Sequence, residues 1–393
     1  MSIRPQSVLR PRLLLVAGAI AVGLFACSND AVETALPAST TEADRTGTTL
    51  ASSASVSSES SVTSESSTTI EEQVETTTEQ VESTQTTPGT PANNASFSFA
   101  AAGDFTGGNN AIAVFDSIGS RSTDFTLALG DLGYVGNGNE EQWCSLVKAG
   151  VGDTYPFQLI AGNHDDRASG DGDILNYRQC LPNRVGEIDG DYAIRYSFDY
   201  ENLARFILIS PDIRTYGGSY ARGTDNYNWV RSQAEQARAD GLSWVFLAMH
   251  KNCITPGQKR CEIGEDLFNL AIEAEVDVIL QGHEHGFFRS NQLAFGEGCR
   301  AVEVDKFNAD CVADDDNNFQ AGAGSVLVIS GAGGIGLRDV NLDDEEIGYF
   351  ASVSASNVEP SHGYAEFTVN ESRISSEFIG VNGSFGDTFQ IRR

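Results

Sequence analysis

Lysine is scarce in this chain. It occurs only as Lys148, Lys251, Lys259 and Lys306, and all basic residues together number 25 against 55 acidic ones. The formal net charge of −30 repels nucleic-acid phosphates and anionic lipid surfaces, so no nucleic-acid partner is expected. Between Ser28 and Asn94 there is no Phe, Tyr or Trp, and the stretch is mostly Ser, Thr, Glu, Gln, Ala and Val. Such a composition cannot bury enough apolar surface to offset chain entropy, so residues 28–95 are expected to form a disordered tether. No run reaches the roughly 20 apolar residues that a bilayer-spanning helix needs. No two of the seven cysteines stand at CxxC spacing, which argues against a cysteine-rich metal site. Histidine is nearly as rare as lysine, with five in 393 residues.

Residues 1–27 have the pattern of a processing signal. Arg4, Arg10 and Arg12 form a basic start, and Leu13 to Ala26 is a short apolar core. It ends in Leu24-Phe25-Ala26-Cys27, which resembles a bacterial lipobox with Cys27 as the lipidated residue. An ordinary secretory signal with an incidental Cys27 is the alternative. Either way the chain is expected to leave the cytoplasm, lipid-anchored to a bacterial cell envelope or, without lipidation, secreted. Membrane attachment would then come only through that anchor. Six cysteines remain for an exported domain, where disulfides persist. Sequence proximity suggests Cys144 with Cys180, Cys253 with Cys261, and Cys299 with Cys311, among several possible connectivities.

From Ser96 to Arg393 the composition changes to aromatic residues, apolar runs and glycines, and no second linker is visible. One domain with loop insertions is expected. Six short runs, Phe97–Ala102, Phe125–Leu129, Phe157–Ala161, Trp244–Met249, Val276–Gln281 and Ser325–Ser330, read as buried strands. A helical pattern such as Tyr227 to Arg238 lies between some of them, which indicates an α/β sheet core. In such sheets ligands bind beyond the carboxyl ends of the strands. Polar residues stand at those ends: Asp104, Asp131, Asn163, His250, His283 and His285, with Tyr134 three positions after Asp131. Four of the five histidines fall there, and His362 reads as a loop residue. Carboxylate, amide and imidazole donors together suit two metals of hard to borderline character, and a metal pair can clamp a phosphoryl group.

The series Gly103-Asp104, Gly130-Asp131, Gly162-Asn163-His164-Asp165, His250 and Gly282-His283-Glu284-His285 resembles the signature of the calcineurin-like metallophosphoesterases. The resemblance implies a β-sandwich flanked by helices, in four αββα layers. Many members carry a histidine two residues after the first aspartate, where this chain has Thr106. Tyr134 instead resembles the purple acid phosphatase branch, in which a tyrosinate holds a ferric ion. Further points of likeness are Asn228-Trp229-Val230, Ser330-Gly331-Ala332-Gly333-Gly334 and Gly363-Tyr364-Ala365-Glu366-Phe367.

Residue by residue, the resemblance implies Fe(III) on Asp104, Tyr134 and His285, and Fe(II), Zn(II) or Mn(II) on Asn163, His250 and His283. Asp131 would bridge them, a metal-bound hydroxide would attack phosphorus, and His164 would contact the phosphate or protonate the leaving alkoxide. Asn163 would also lie near substrate. Asp165 is expected either to orient His164 or to cap a helix. A histidine common after the His250 position is missing, so Lys251, Lys259 or Arg260 is expected to supply positive charge there. The implied activity is an acid phosphatase-like phosphomonoesterase. A phosphodiesterase or nucleotidase is the alternative within the superfamily. A catalytically inactive surface-binding protein is the alternative outside it, although every expected ligand is retained. The acidic run Asp314–Asp316 reads as a solvated loop rather than a calcium site.

Overall fold

Each of the six apolar runs is a strand in the computed structural model, which describes residues 95–393. The expected signal segment, Cys27 and the tether up to Asn94 lie outside the described residues. The chain begins with β1 (Ser96–Ala102), α1 (Asn109–Arg121), β2 (Phe125–Ala128), α2 (Glu140–Val151), β3 (Phe157–Leu159) and α3 (Ile174–Cys180). Next come β4 (Asp189–Asp191), β5 (Arg195–Tyr200), β6 (Ala204–Ile209), α4 (Asp225–Ala239), β7 (Trp244–Met249), α5 (Glu265–Glu273) and β8 (Val278–Gln281). The last part is strands and short 3-10 turns: β9 (Phe287–Leu293), β10 (Val312–Asp314), β11 (Asn318–Gln320), β12 (Ser325–Ser330), β13 (Phe350–Ser354), β14 (Gly363–Asn370), β15 (Arg373–Gly380) and β16 (Thr388–Arg392).

These strands form two sheets. One has the order β11-β16-β15-β14-β1-β2-β3, and the other β10-β9-β12-β8-β7-β6-β5-β4, with β13 also paired to β9. β1, β2 and β3 run parallel, as do β6, β7, β8 and β12. Alternation along the second sheet divides its side chains between two clusters. Phe206, Leu208, Phe246 and Ala248 join the core shared with Phe99, Phe125 and Phe367 of the first sheet. Ile207, Ile209, Val245 and Leu247 face the other way and pack with Val230 and Ala234 of α4 and with Leu267 and Leu270 of α5. On the first sheet, Phe115 of α1 meets Phe157 of β3 edge-on, with ring centres 6.1 Å apart. The period-2 pattern thus builds two sheets face to face with helices outside, as expected from the sequence.

The α4 helix starts two residues before its apolar periodicity, because Thr224 caps it by accepting the Tyr227 N–H at 3.3 Å. Disulfides join Cys144 to Cys180, Cys253 to Cys261, and Cys299 to Cys311. Among the described residues no helix is long and apolar enough to cross a membrane.

Candidate metal centre

The parallel registers bring the ends of both sheets to one place. Ala102, Ala128 and Leu159 are level across β1, β2 and β3, so Asp104, Asp131 and Asn163 leave the first sheet from neighbouring strands. Met249, Gln281 and Ile329 are level across β7, β8 and β12, which delivers His250, His283 and the Gly331–Gly334 loop from the second. Bonds between the turns tie the sheets together. Gly103 N–H donates across the sheets to the Ser330 carbonyl at 2.9 Å, while Asp104 N–H donates within the first sheet's end to the Gly130 carbonyl at 3.0 Å.

Four expected ligands occupy left-handed backbone: Asp104 (φ 59°), Asp131 (φ 52°), Tyr134 (φ 50°) and His283 (φ 70°). Such conformations cost about 1–3 kcal/mol each and persist where the surroundings enforce them, commonly at functional sites. Glycine gives the carboxylates room. A Cβ on Gly162 would lie 2.1 Å from Asp131 Oδ1, and one on Gly331 would lie 2.8 Å from Asp104 Oδ2.

Around His250, four electron-rich atoms converge. Its Nδ1 is 2.8 Å from the Leu129 carbonyl, which can only accept, so Nδ1 carries the proton and Nε2 of the neutral ring has a lone pair. Nε2 faces His283 Nδ1 at 3.1 Å, Asp131 Oδ2 at 3.2 Å and Asn163 Oδ1 at 3.3 Å. The other nitrogen of His283, Nε2, lies 3.1 Å from Glu262 Oε2, so its proton also sits on the far side. Asp131, His250 and His283 are all buried and their ligand atoms lie within 4.8 Å of one another. Lone pairs buried this closely require a positive species among them. A proton fills that role in the metal-free protein. Burial opposes a charged imidazole, but the Asp131 carboxylate raises His250 to about 9. Burial likewise disfavours ionised Asp131, yet His250 holds it below the usual carboxylate range.

A second donor set shares Asp131. His285 gives Nδ1–H to the Gly336 carbonyl at 3.0 Å, which leaves Nε2 3.5 Å from Asp104 Oδ1. Asp104 is fully buried, and while Oδ2 accepts the His283 N–H at 2.7 Å, Oδ1 has no hydrogen-bond partner among the described residues. Tyr134 Oη donates to Asp131 Oδ2 at 3.0 Å. Burial raises the Asp104 carboxyl well above its ordinary value, and burial with Asp104 and Asp131 raises the Tyr134 phenol. Burial lowers His283 to about 4 and His285 to about 3, so both imidazoles are neutral near pH 7. Each set fits a cation. The oxygen-rich one suits a hard ion, and the nitrogen-rich one a borderline divalent ion.

The remaining expected residues divide. His164 borders this cluster: its N–H donates to Asp131 Oδ1 at 2.8 Å, and its ring stands 4.5 Å from that of Tyr134. Asp165 does not orient it. The Asp165 carboxylate, buried and raised to about 7 by desolvation and by Asp131, accepts the Leu132 and Gly162 N–H groups at 2.9 and 2.8 Å and ties two ligand loops together. Asp171, in an acidic loop with no motif, takes the orienting place with Oδ2 2.7 Å from His164 Nδ1. Lys251 is not open to a phosphate, because its ammonium lies 2.6 Å from Asp212 and 2.8 Å from Glu262. Arg260 is exposed. Lys259 lies closer to the metal ligands: its N–H donates to Glu284 Oε2 at 2.7 Å, and its charge helps to lower His283 and His285. The glycine loop is a packing turn, since Gly333 N–H and Ile335 N–H donate to the Gly103 and Asp104 carbonyls. Thr106 uses its carbonyl to accept the Trp143 indole N–H at 3.0 Å. His362 lies 2.9 Å from the Ile335 carbonyl. Asp314 to Asn318 is a self-bonded turn, in which Asp314 and Asp316 accept the Asp316 and Asn318 N–H groups. Glu262, like Asp171, carried no signal in the sequence.

Residues 97–287, which include every expected metal ligand, match the family model of the calcineurin-like phosphoesterases. Purple acid phosphatase 21 of Arabidopsis thaliana is 25% identical over 211 residues, 51% of this chain and 46% of that protein. An uncharacterised protein of Mycobacterium tuberculosis is 26% identical over 151 residues, 35% of this chain and 28% of its own length. The match therefore spans less than half the length of these curated relatives. In fold, the chain is similar to the purple acid phosphatase from yellow lupin (Lupinus luteus) seeds, with a TM-score of 0.58 at 17% identity over 76% of this chain and 54% of that one. It is also similar to GAP50, the anchor in the inner membrane complex of Plasmodium, with a TM-score of 0.52 at 14% identity over 76% and 90% of the two chains. This chain belongs to the calcineurin-like metallophosphoesterase superfamily, with its likeness running to the purple acid phosphatase-like branch.

Proposed function

We propose that the chain is an exported phosphomonoesterase whose catalytic domain, 96–393, works with two metal ions. The observation that carries this is the set of buried donor atoms converging around Asp131, with Asp104 Oδ1 beside them lacking a hydrogen-bond partner among the described residues. Asp104, Tyr134 and His285 would hold one ion, Fe(III) by the hardness of its phenol and carboxylate donors. Asn163, His250 and His283 would hold the second, Fe(II), Zn(II) or Mn(II), with Asp131 shared. When bound, such a pair supplies Lewis acidity and a clamp for the phosphoryl group.

The side chains supply the rest. Asp171 accepts His164 Nδ1–H at 2.7 Å, so the proton that a departing alkoxide needs would come from Nε2 of the imidazolium. His164 keeps 37% of its side chain exposed, so a substrate can reach it. Lys259, on a loop fixed by Glu284, brings positive charge toward the phosphate in place of the missing histidine. Three disulfides agree with an extracytoplasmic site of action. Lipid attachment at Cys27 rests on the spelling of residues 24–27 alone, and Cys27→Ser protein that stays with membranes would reject it.

The full chain should be purified, its metals counted and its visible spectrum recorded. Two ions per chain are expected, with a tyrosinate-to-iron band that Tyr134→Phe abolishes. Aryl phosphate monoesters should turn over faster than diesters or nucleotides. A colourless zinc or manganese enzyme would reject the iron assignment. Faster diester cleavage would reject the monoester assignment, and an inactive, metal-free protein would reject the enzyme.

A further inference from the structure

The loop that follows His250 returns to the site at Glu262. Cys253 and Cys261 close it by a disulfide. Glu262 N–H donates to the Asn252 carbonyl at 3.0 Å. The Asn252 side chain donates to Gln281 Oε1 at 3.2 Å and to the Gly282 carbonyl at 2.9 Å. Glu262 is therefore fixed to the end of β8, immediately before His283. Its Oε2 meets His283 Nε2 at 3.1 Å and Lys251 Nζ at 2.8 Å, and Lys251 is anchored in turn by Asp212 at 2.6 Å.

We propose that Glu262, clamped by Lys251 and the Cys253–Cys261 loop, is the positioning residue that sets the tautomer of His283 and with it the affinity of the second metal site. The inference rests on the two-metal reading above. An imidazole can present Nδ1 to a cation only if its proton sits on Nε2, and an acceptor beside Nε2 selects that tautomer. No other acceptor touches His283 Nε2 among the described residues. Lys251 Nζ can only donate, and it meets the same Glu262 Oε2 that faces His283 Nε2, so that oxygen is placed as an acceptor. An amide in its place can turn its NH2 toward Nε2, which favours the proton on Nδ1 and closes the ring to metal.

The test is a calorimetric titration of zinc into the metal-stripped full-length chain and its Glu262→Gln variant. Wild type should take up two ions. Glu262→Gln should bind one ion with unchanged affinity and the other about 10–100-fold more weakly, the usual effect of losing such a partner. Glu262→Asp should recover part of the loss. Unchanged affinity at both sites overturns the inference, as does equal weakening of both. Should Glu262→Gln fail to fold, the imidazole 15N spectrum of the metal-stripped wild type decides. A proton on His283 Nε2 supports the proposal, and a proton on Nδ1 overturns it. Wild type that binds no zinc at all defeats the two-metal reading, and the inference falls with it.

Discussion

His250 shows most directly how one residue couples charge to metal binding. Its imidazole is raised to about 9 by Asp131, against the cost of burial, whereas a metal needs the neutral ring. Metal must therefore displace a proton. In the metal-free protein the raised value stabilises the fold fully below the ordinary imidazole range, and that contribution is lost as pH rises through about 9. Metal affinity has the opposite slope. At the proposed site of Asn163, His250 and His283 it should grow about tenfold per pH unit toward pH 9, with one proton released from His250 as the ion binds, because His283, lowered to about 4, adds none. Isothermal titration at several pH values, in buffers of different ionisation enthalpy, would measure both quantities, and a pH-independent affinity would refute the coupling. At His164 the expectation is kinetic. His164→Ala should lower kcat by about 10²–10⁴-fold, the range for a lost general acid. Asp171→Ala should lower it less, with metal content unchanged in both. The proposed ligands were legible in the sequence because they cluster just beyond strand ends, five of them directly after a glycine, whereas Asp171 and Glu262 were not. Their roles come from side-chain contacts at 2.7 and 3.1 Å across loops, which no spacing along the chain encodes.

At the scale of elements, the turns after β1, β2 and β8 hold the proposed ligands in left-handed conformations, so the loops are shaped for the site rather than for local propensity. Gly162 is the tightest point. A methyl group there would stand 2.1 Å from Asp131 Oδ1 and 2.2 Å from the Asp131 backbone nitrogen. Gly162→Ala should push the shared carboxylate out of place and abolish binding of both metals, while far-ultraviolet circular dichroism stays that of the folded protein. Retained stoichiometric metal would show that the turn can relax. The strand runs themselves were readable, since continuous Val, Ile, Leu and Phe stretches mark strands covered on both faces. Their ends were less so. β3 ends at Leu159 rather than Ala161: Ile160 N–H still donates to the Ala128 carbonyl at 3.2 Å, but Ala161 N–H goes to the Ala193 carbonyl at 3.1 Å. The lysine after His250 looked available for substrate, and only the fold shows it spent on Asp212 and Glu262.

In the molecule as a whole, the centre is shared between two sheets, so its geometry depends on how they pack. Asp104, Asp131 and Asn163 come from one sheet, and His250 and His283 from the other. Phe99 lies at the middle of the interface. Its ring is stacked nearly parallel to those of Phe125 and Phe367 in its own sheet, at 5.3 and 4.8 Å, and meets Phe206 and Phe246 of the opposite sheet edge-on, each at 5.2 Å. Phe99 is fully buried, and Phe99→Ala should cost about 3–5 kcal/mol of stability through lost burial and the cavity left behind. Close-packed interiors transmit such a loss as strain rather than absorb it, so the sheets should settle closer and the two donor sets should move relative to each other. The variant is therefore expected to bind metal more weakly even where it remains folded, a combination that chemical denaturation and zinc titration of the same sample would reveal. Lower stability with unchanged zinc affinity would instead mean that the hydrogen bonds from Gly103 to Ser330 and from Gly282 to His250 hold the ligand loops together without help from the core.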